Sequence, residues 1–216
     1  MPFLYRKPRG LLPYALYLPQ GEPPEGGWSL VLFLHGSGER GGDGKKQTRV
    51  GLGPAIQENP EGWPAVVLMP QCPKGEWWRG EVLQKACELL NRVEAQYRTN
   101  PRRVYLTGLS MGGYGCWNLA CLYPERFAAV APICGAADPF WVWQRLSKVP
   151  IWNFHGAADE VVPVSFSRAL ADALAKAGNT QAHFTEYPTE KHNVWDRVYR
   201  DPTFVRWLFS QEKAAG

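Results

Sequence analysis

Arg102-Arg103-Val104-Tyr105-Leu106-Thr107-Gly108-Leu109-Ser110-Met111-Gly112-Gly113-Tyr114-Gly115 reads as a buried strand, a glycine-bracketed turn and the start of a helix. Its centre has the form G-x-S-x-G, and that spacing has a physical cause. A chain reversing from strand to helix within so few residues holds the serine in a strained conformation, with its hydroxyl pushed outward. The residues two positions either side must lack bulk for strand and helix to approach each other. The helix N-terminus beneath the serine leaves N–H groups unpaired and presents a positive dipole end, where an oxyanion can form. Residues 104–106 are strand-like and residues 114–122 are helical with small residues on one side. Ser110 is therefore a candidate nucleophile, the competing reading being a serine that merely caps a helix in a glycine-rich chain.

With 216 residues, 45% of them hydrophobic, the chain is expected to fold as one domain over residues 1–216 with a substantial core. No run of about 18 apolar residues occurs, which argues against a membrane span. The opening residues lack the apolar core of a secretory signal, so a cytoplasmic location is expected, or a secreted one if residues precede those given. A net charge of +4 is mild, and no basic stripe interleaved with aromatics appears, so nucleic acid is not an expected partner. Five cysteines show neither a C-x-x-C pair nor Cys/His metal spacing; at least one stays unpaired, and a single disulfide is left open. No metal or cofactor is expected. Trp77 and Trp78, set among Gly, Lys, Glu and Arg, are expected at the surface or in a cleft.

Apolar runs at 30–34, 65–69, 127–132 and 149–154 alternate with helical patterns at 81–98, 114–122 and 165–177. Residues 14–18 read as an outer strand with 3–6 as its partner, Asn100-Pro101 as a helix stop, 181–187 as the last strand and 194–211 as mostly helix. Such alternation predicts an α/β fold, a mostly parallel central sheet with helices on both faces.

In open α/β sheets, ligands gather beyond the carboxyl ends of strands. Of four histidines, His183 lies inside a strand, and His35 and His155 each end a strand just before glycine. Only His192 falls in a loop beyond a strand and after the candidate acids, the order serine, acid, histidine. Asp159, following the 151–154 strand, can fix the tautomer of that imidazole and stabilise its charged form. Asp138, one strand earlier, is the alternative acid, and a turn cap is the structural alternative for Asp159. Gly36-Ser37-Gly38-Glu39-Arg40-Gly41 matches the dinucleotide pattern G-x-G-x-x-G. Its following segment is polar and glycine-bearing, and the next strand ends in Met69-Pro70-Gln71 without an acid, which argues against nucleotide binding. A loop that turns backbone N–H groups toward a substrate oxygen fits better.

Taken with Pro70-Gln71-Cys72-Pro73, Phe154-His155-Gly156 and His192-Asn193-Val194-Trp195, these motifs resemble the α/β-hydrolase superfamily. Within it the chain resembles the bacterial carboxylesterase branch often labelled "predicted peptidase", close to the dienelactone hydrolase and phospholipase/carboxylesterase groups. The resemblance runs from about the first strand to Trp207-Leu208-Phe209. It implies Ser110 as nucleophile, His192 as base and Asp159 as acid, with the Ser37 and Met111 N–H groups as the oxyanion hole. It also implies a serine carboxylesterase acting on small, short-chain esters through an acyl-enzyme. A feruloyl or polyester esterase, or a serine peptidase, would use the same three residues. The short span between Trp78 and Glu81 leaves no room for a lid there, so the cleft is expected to be open, with Trp77 and Trp78 as its walls.

Overall fold

A computed structural model describes residues 3–214. Strands β1 (Phe3–Arg6), β2 (Tyr14–Tyr17), β3 (Trp28–Leu34), β4 (Ala65–Pro70), β5 (Thr99–Leu109), β6 (Ala129–Ile133), β7 (Ile151–Gly156) and β8 (Ala182–Tyr187) form one sheet in the order β1-β2-β4-β3-β5-β6-β7-β8. The β1/β2 and β2/β4 pairs are antiparallel and all others are parallel. The unbroken apolar runs of β3 and β4 are buried on both faces, because helices cover both sides of the sheet.

Helices α2 (Gly80–Gln96), α3 (Met111–Leu122), α4 (Pro139–Arg145) and α5 (Ser165–Lys176) supply one core through Leu83, Leu90, Trp117, Val142 and Leu170. The opposite core comes from α1 (Leu52–Glu58), α6 (Trp195–Val198) and α7 (Pro202–Ser210), through Ile56, Val198, Phe204 and Leu208. Along β3 the two cores alternate strictly: Leu30, Leu32 and Leu34 face the first, Val31 and Phe33 the second.

Three boundaries differ from the sequence expectations. Helix α2 stops at Gln96, because Tyr97 turns to an extended ψ of 144°. Asn100 and Pro101 lie inside β5 rather than before it. The register with β3 breaks between Trp28↔Thr99 and Leu30↔Val104, so Pro101 falls in an irregular stretch where no ladder N–H is required of it. The last helical segment is split in two: Pro202 opens α7, and the Asp201 side chain accepts from the Thr203 N–H as a cap. Among the described residues, no helix is long and apolar enough to cross a membrane, and all five cysteines are free.

Candidate active site

Central strand β5 ends at Leu109, and α3 begins two residues later at Met111. Ser110 makes the whole turn, with φ 53° and ψ −118°, a conformation that costs a non-glycine residue on the order of 1–3 kcal/mol. Its N–H is tied to the Ile133 carbonyl at 2.8 Å on neighbouring β6. Gly112 shows why the motif needs its second glycine. A Cβ there would lie 1.8 Å from the Leu34 carbonyl oxygen, so α3 could not seat against the end of β3.

The hydroxyl so presented meets His192, carried on the loop after β8, with Ser110 Oγ 2.9 Å from His192 Nε2. The other ring nitrogen, Nδ1, lies 2.6 Å from Asp159 Oδ2, on the loop after β7. An ionised carboxylate only accepts, so Nδ1 carries the proton and donates it, which leaves Nε2 free to take the serine proton. Asp159 has a fully buried side chain. Its Oδ1 accepts the Val161 and Val162 N–H groups at 2.8 and 2.9 Å. Burial pushes this carboxyl up, but the bonds from His192, Val162 and Val161 outweigh it and hold it below the ordinary carboxylate range. Asp138, the alternative acid, instead caps α4 by accepting the Phe140 N–H at 2.9 Å.

Ser37 and Met111 each open a helical turn, the 3₁₀ turn Ser37–Glu39 and α3 respectively. The first N–H of such a turn has no partner within it. The two segments lie against each other, since a Cβ on Gly36 would sit 3.6 Å from Ser110 Cβ.

The loop carrying Ser37 is held by residues the sequence did not single out for this role. The Cys72 N–H donates to His35 Nε2 at 2.9 Å, so the His35 proton sits on Nδ1 and goes to the Gly36 carbonyl at 2.6 Å. Buried Gln71 accepts the Gly44 N–H at 2.6 Å and donates to the Glu39 carbonyl at 2.9 Å and to Asp43 Oδ1 at 3.0 Å. Trp78 is packed inward, only 1% exposed, and its indole N–H donates to the His35 carbonyl. It therefore pins the loop and is almost wholly buried, not at the surface. Trp77 is 41% exposed and meets the Tyr114 ring edge-on, one turn along α3 from Ser110. Together with Trp78, Arg79 and Asn118 these rings line a shallow depression of about 270 Å³.

Cys134 and His155 also reach the acid. Cys134, at φ 49° just after β6, donates its thiol to the His192 carbonyl at 3.1 Å. Cys134, Asp159 and His192 each place a potential ligand atom within 4.8 Å of the others. Burial pushes the Cys134 thiol up to about 12, so the protonated thiol is the donor to the His192 carbonyl. His155 Nε2 lies 3.1 Å from Asp159 Oδ2.

A family model described as "Putative esterase" matches residues 12–198. The chain is 28% identical over 197 residues to a poly(3-hydroxyoctanoate) depolymerase of Pseudomonas fluorescens, covering 78% of this chain and 69% of that one. It is 26% identical over 216 residues to a "Probable carboxylesterase" of Oryza sativa subsp. japonica, covering 87% of this chain and 90% of that one. The crystal structure of a thermostable esterase superposes with a TM-score of 0.87 at 34% identity, over 98% of this chain and 63% of that one. The fold is thus the α/β-hydrolase fold that the motifs predicted, here spanning somewhat under two thirds of the thermostable esterase's length.

Proposed function

Since the chain belongs to the esterase family that this model describes, we propose that it is a serine carboxylesterase working through an acyl-enzyme. The observation that carries the proposal is the unbroken chain Ser110 Oγ, His192 Nε2, His192 Nδ1 and Asp159 Oδ2, with links of 2.9 and 2.6 Å.

In the acylation half, Ser110 attacks the ester carbonyl as its proton passes to His192 Nε2. The imidazolium so formed is stabilised by the Asp159 carboxylate. The carbonyl oxygen, now an oxyanion, rests on the Ser37 and Met111 N–H groups, each such donor contributing about 3–4 kcal/mol to the transition state in comparable sites. His192 then gives its proton to the leaving alkoxide, and the alcohol departs. In the second half a water takes the alcohol's place, loses a proton to His192 and attacks the acyl carbon. The acid leaves and Ser110 is reprotonated.

Ser110→Ala, assayed on a short-chain p-nitrophenyl ester and with a fluorophosphonate label, tests the proposal. Turnover is expected to fall by about 10³-fold or more, with labelling lost. Retained labelling and turnover would move the nucleophile elsewhere.

A second reading, a polyester hydrolase, is favoured by one observation, the similarity to the Pseudomonas fluorescens depolymerase over 78% of this chain. Release of hydroxyacids from a polyester film, measured beside the soluble esters, separates the two.

A further inference from the structure

We propose that the exposed stripe of α3 is the floor of a groove that takes the acyl arm of an extended oligoester, a chain of ester-linked hydroxyacid units. Arg79 and Asn118 are its specificity-determining residues. The inference rests on the serine esterase reading above and adds a site for the part of the substrate that does not react.

The floor follows from helical spacing. Every residue of α3 is buried except Tyr114, Asn118, Cys121 and Leu122. Counted back in steps of three or four, this stripe begins at Ser110. At a rise of about 1.5 Å per residue it runs about 12 Å from Ser110 to Asn118 and about 18 Å to Leu122. Two depressions lie along it. One of about 270 Å³ includes Tyr114 and Asn118, and a larger one of about 510 Å³ includes Asn118, Cys121 and Leu122. Arg79 and Asn118 line both, so the two form one groove. Its walls are the head of α2, through Arg79 and Leu83, and α4, through Trp141 and Arg145.

The Tyr114 pKa is raised by burial and then by the Asp159 carboxylate, which marks the Tyr114 end of the groove as the end at the triad. The acyl group is the part of an ester that becomes bonded to Ser110 Oγ, and Ser110 heads the floor. The groove is thus placed for the acyl arm.

The lining selects the chemistry of that arm. Leu122 and Trp141 are 57% and 53% exposed. Phe140 continues the apolar wall, its ring 5.3 Å from Trp141 and 6.0 Å from Trp143. Donors are set among these apolar groups. Arg145 Nε donates to the Cys121 carbonyl at 3.2 Å, which holds the guanidinium at the far end with its terminal N–H groups unused among the described residues. Among the described residues, neither Arg79 nor Arg145 pairs with a carboxylate; the paired arginines lie elsewhere. The Asn118 amide makes one long bond, 3.5 Å to the Trp78 carbonyl.

A plain fatty chain covers these donors without answering them, which costs free energy. A peptide brings an N–H with each carbonyl, and the side-chain acceptors here are the Asn118 amide oxygen and Asp138, whose Oδ1 already takes the Phe140 N–H. An oligoester carries apolar spacers and carbonyl acceptors with no donor along its chain, so it matches both halves of the lining.

The test compares kcat/KM on four p-nitrophenyl esters with a common leaving group, each normalised to its alkaline hydrolysis rate. One is the acetate; the others carry a hydroxyalkanoate trimer, a fatty chain or a peptide of matched length as the acyl arm. The wild type is expected to favour the trimer over the acetate by about tenfold or more, and over both matched arms. Arg79→Met and Asn118→Leu keep bulk and remove donors, and each should lower the trimer-to-acetate ratio about three- to tenfold. A drop in either variant supports the groove. A ratio unmoved in both, as a merely structural role gives, overturns the inference. A wild type without length preference, or one that prefers the fatty or peptidyl arm, also overturns it. Ser110→Ala is assayed alongside on the acetate. Turnover retained there, or absent from the wild type, refutes the esterase reading and this inference with it. Turnover lost there, with no preference for the trimer in the wild type, refutes the groove alone.

Discussion

The indole N–H of Trp78 donates to the carbonyl oxygen of His35 at 2.9 Å, across 43 positions of sequence. That carbonyl lies two residues before Ser37, so the bond helps to place the Ser37 N–H, the proposed first oxyanion donor. Trp78→Phe keeps an aromatic ring but removes the donor and part of the buried indole, leaving a buried carbonyl without its partner at a cost of about 1–3 kcal/mol in addition to the lost packing. We expect a lower melting temperature together with a kcat reduced roughly tenfold, since small displacements of positioning groups are costly. Wild-type kcat in a destabilised Trp78→Phe would show that the bond serves the core alone.

The two candidate acids separate cleanly by substitution. Asp159→Asn leaves the shape intact but lets the His192 tautomer reverse, and kcat should fall by about 10³–10⁴-fold. Asp138→Asn retains a capping oxygen for the Phe140 N–H and should keep its activity. Steady-state kinetics on one soluble ester checks both, and the opposite pattern would move the acid to the loop after β6.

Stability should fall on the acid side of neutrality. Burial, outweighing the opposing bond to Gly36, lowers the His35 pKa to about 4, against about 6.5 in an unfolded chain. Between those values the unfolded state binds a proton that the folded state refuses, so this stabilisation is present above the unfolded value and is lost as pH falls toward the folded one. His155, also lowered, acts in the same direction. Asp159 has a depressed carboxyl, and its contribution disappears only at still lower pH, below the ordinary carboxylate value. Calorimetric melting from pH 7.5 to 4 should show a progressive drop, and a flat melting temperature over that range would contradict it.

Two glycines of the site should respond oppositely to the same change. Gly112→Ala forces a Cβ into the Leu34 carbonyl, a contact between two backbone segments that neither can relieve. We expect a loss of more than about 3 kcal/mol or no folded protein. A Cβ on Gly38 would meet nothing within 4 Å, so Gly38→Ala should change stability by less than about 0.5 kcal/mol. Denaturant titration of both variants tests the pair.

The sheet and the positions of Ser110, Asp159 and His192 beyond strand ends were legible because they follow from local signals. Apolar runs mark the strands, glycine spacing marks the turn, and chain order pairs the titratable groups. The supports were not legible, because each is a meeting of distant segments. Trp78 sits among charged residues and glycines, the pattern of a surface, yet its ring is buried under the His35 loop. His35 and His155 were placed at strand ends, but nothing local shows that one receives the Cys72 N–H and the other reaches Asp159. Pro101 looked like a stop because proline normally breaks a ladder, and only the irregular pairing with β3 gives it a place.

The parallel order of β5 to β8 has a consequence in time. Ser110 and His192, the proposed nucleophile and base, stand 82 positions apart, with β6, β7 and β8 between them in the chain. During synthesis Ser110 is made before His192, its proposed proton acceptor, so a chain that ends before β8 carries the serine without that partner. On the proposed mechanism, turnover requires β8 and the loop after it to be in place.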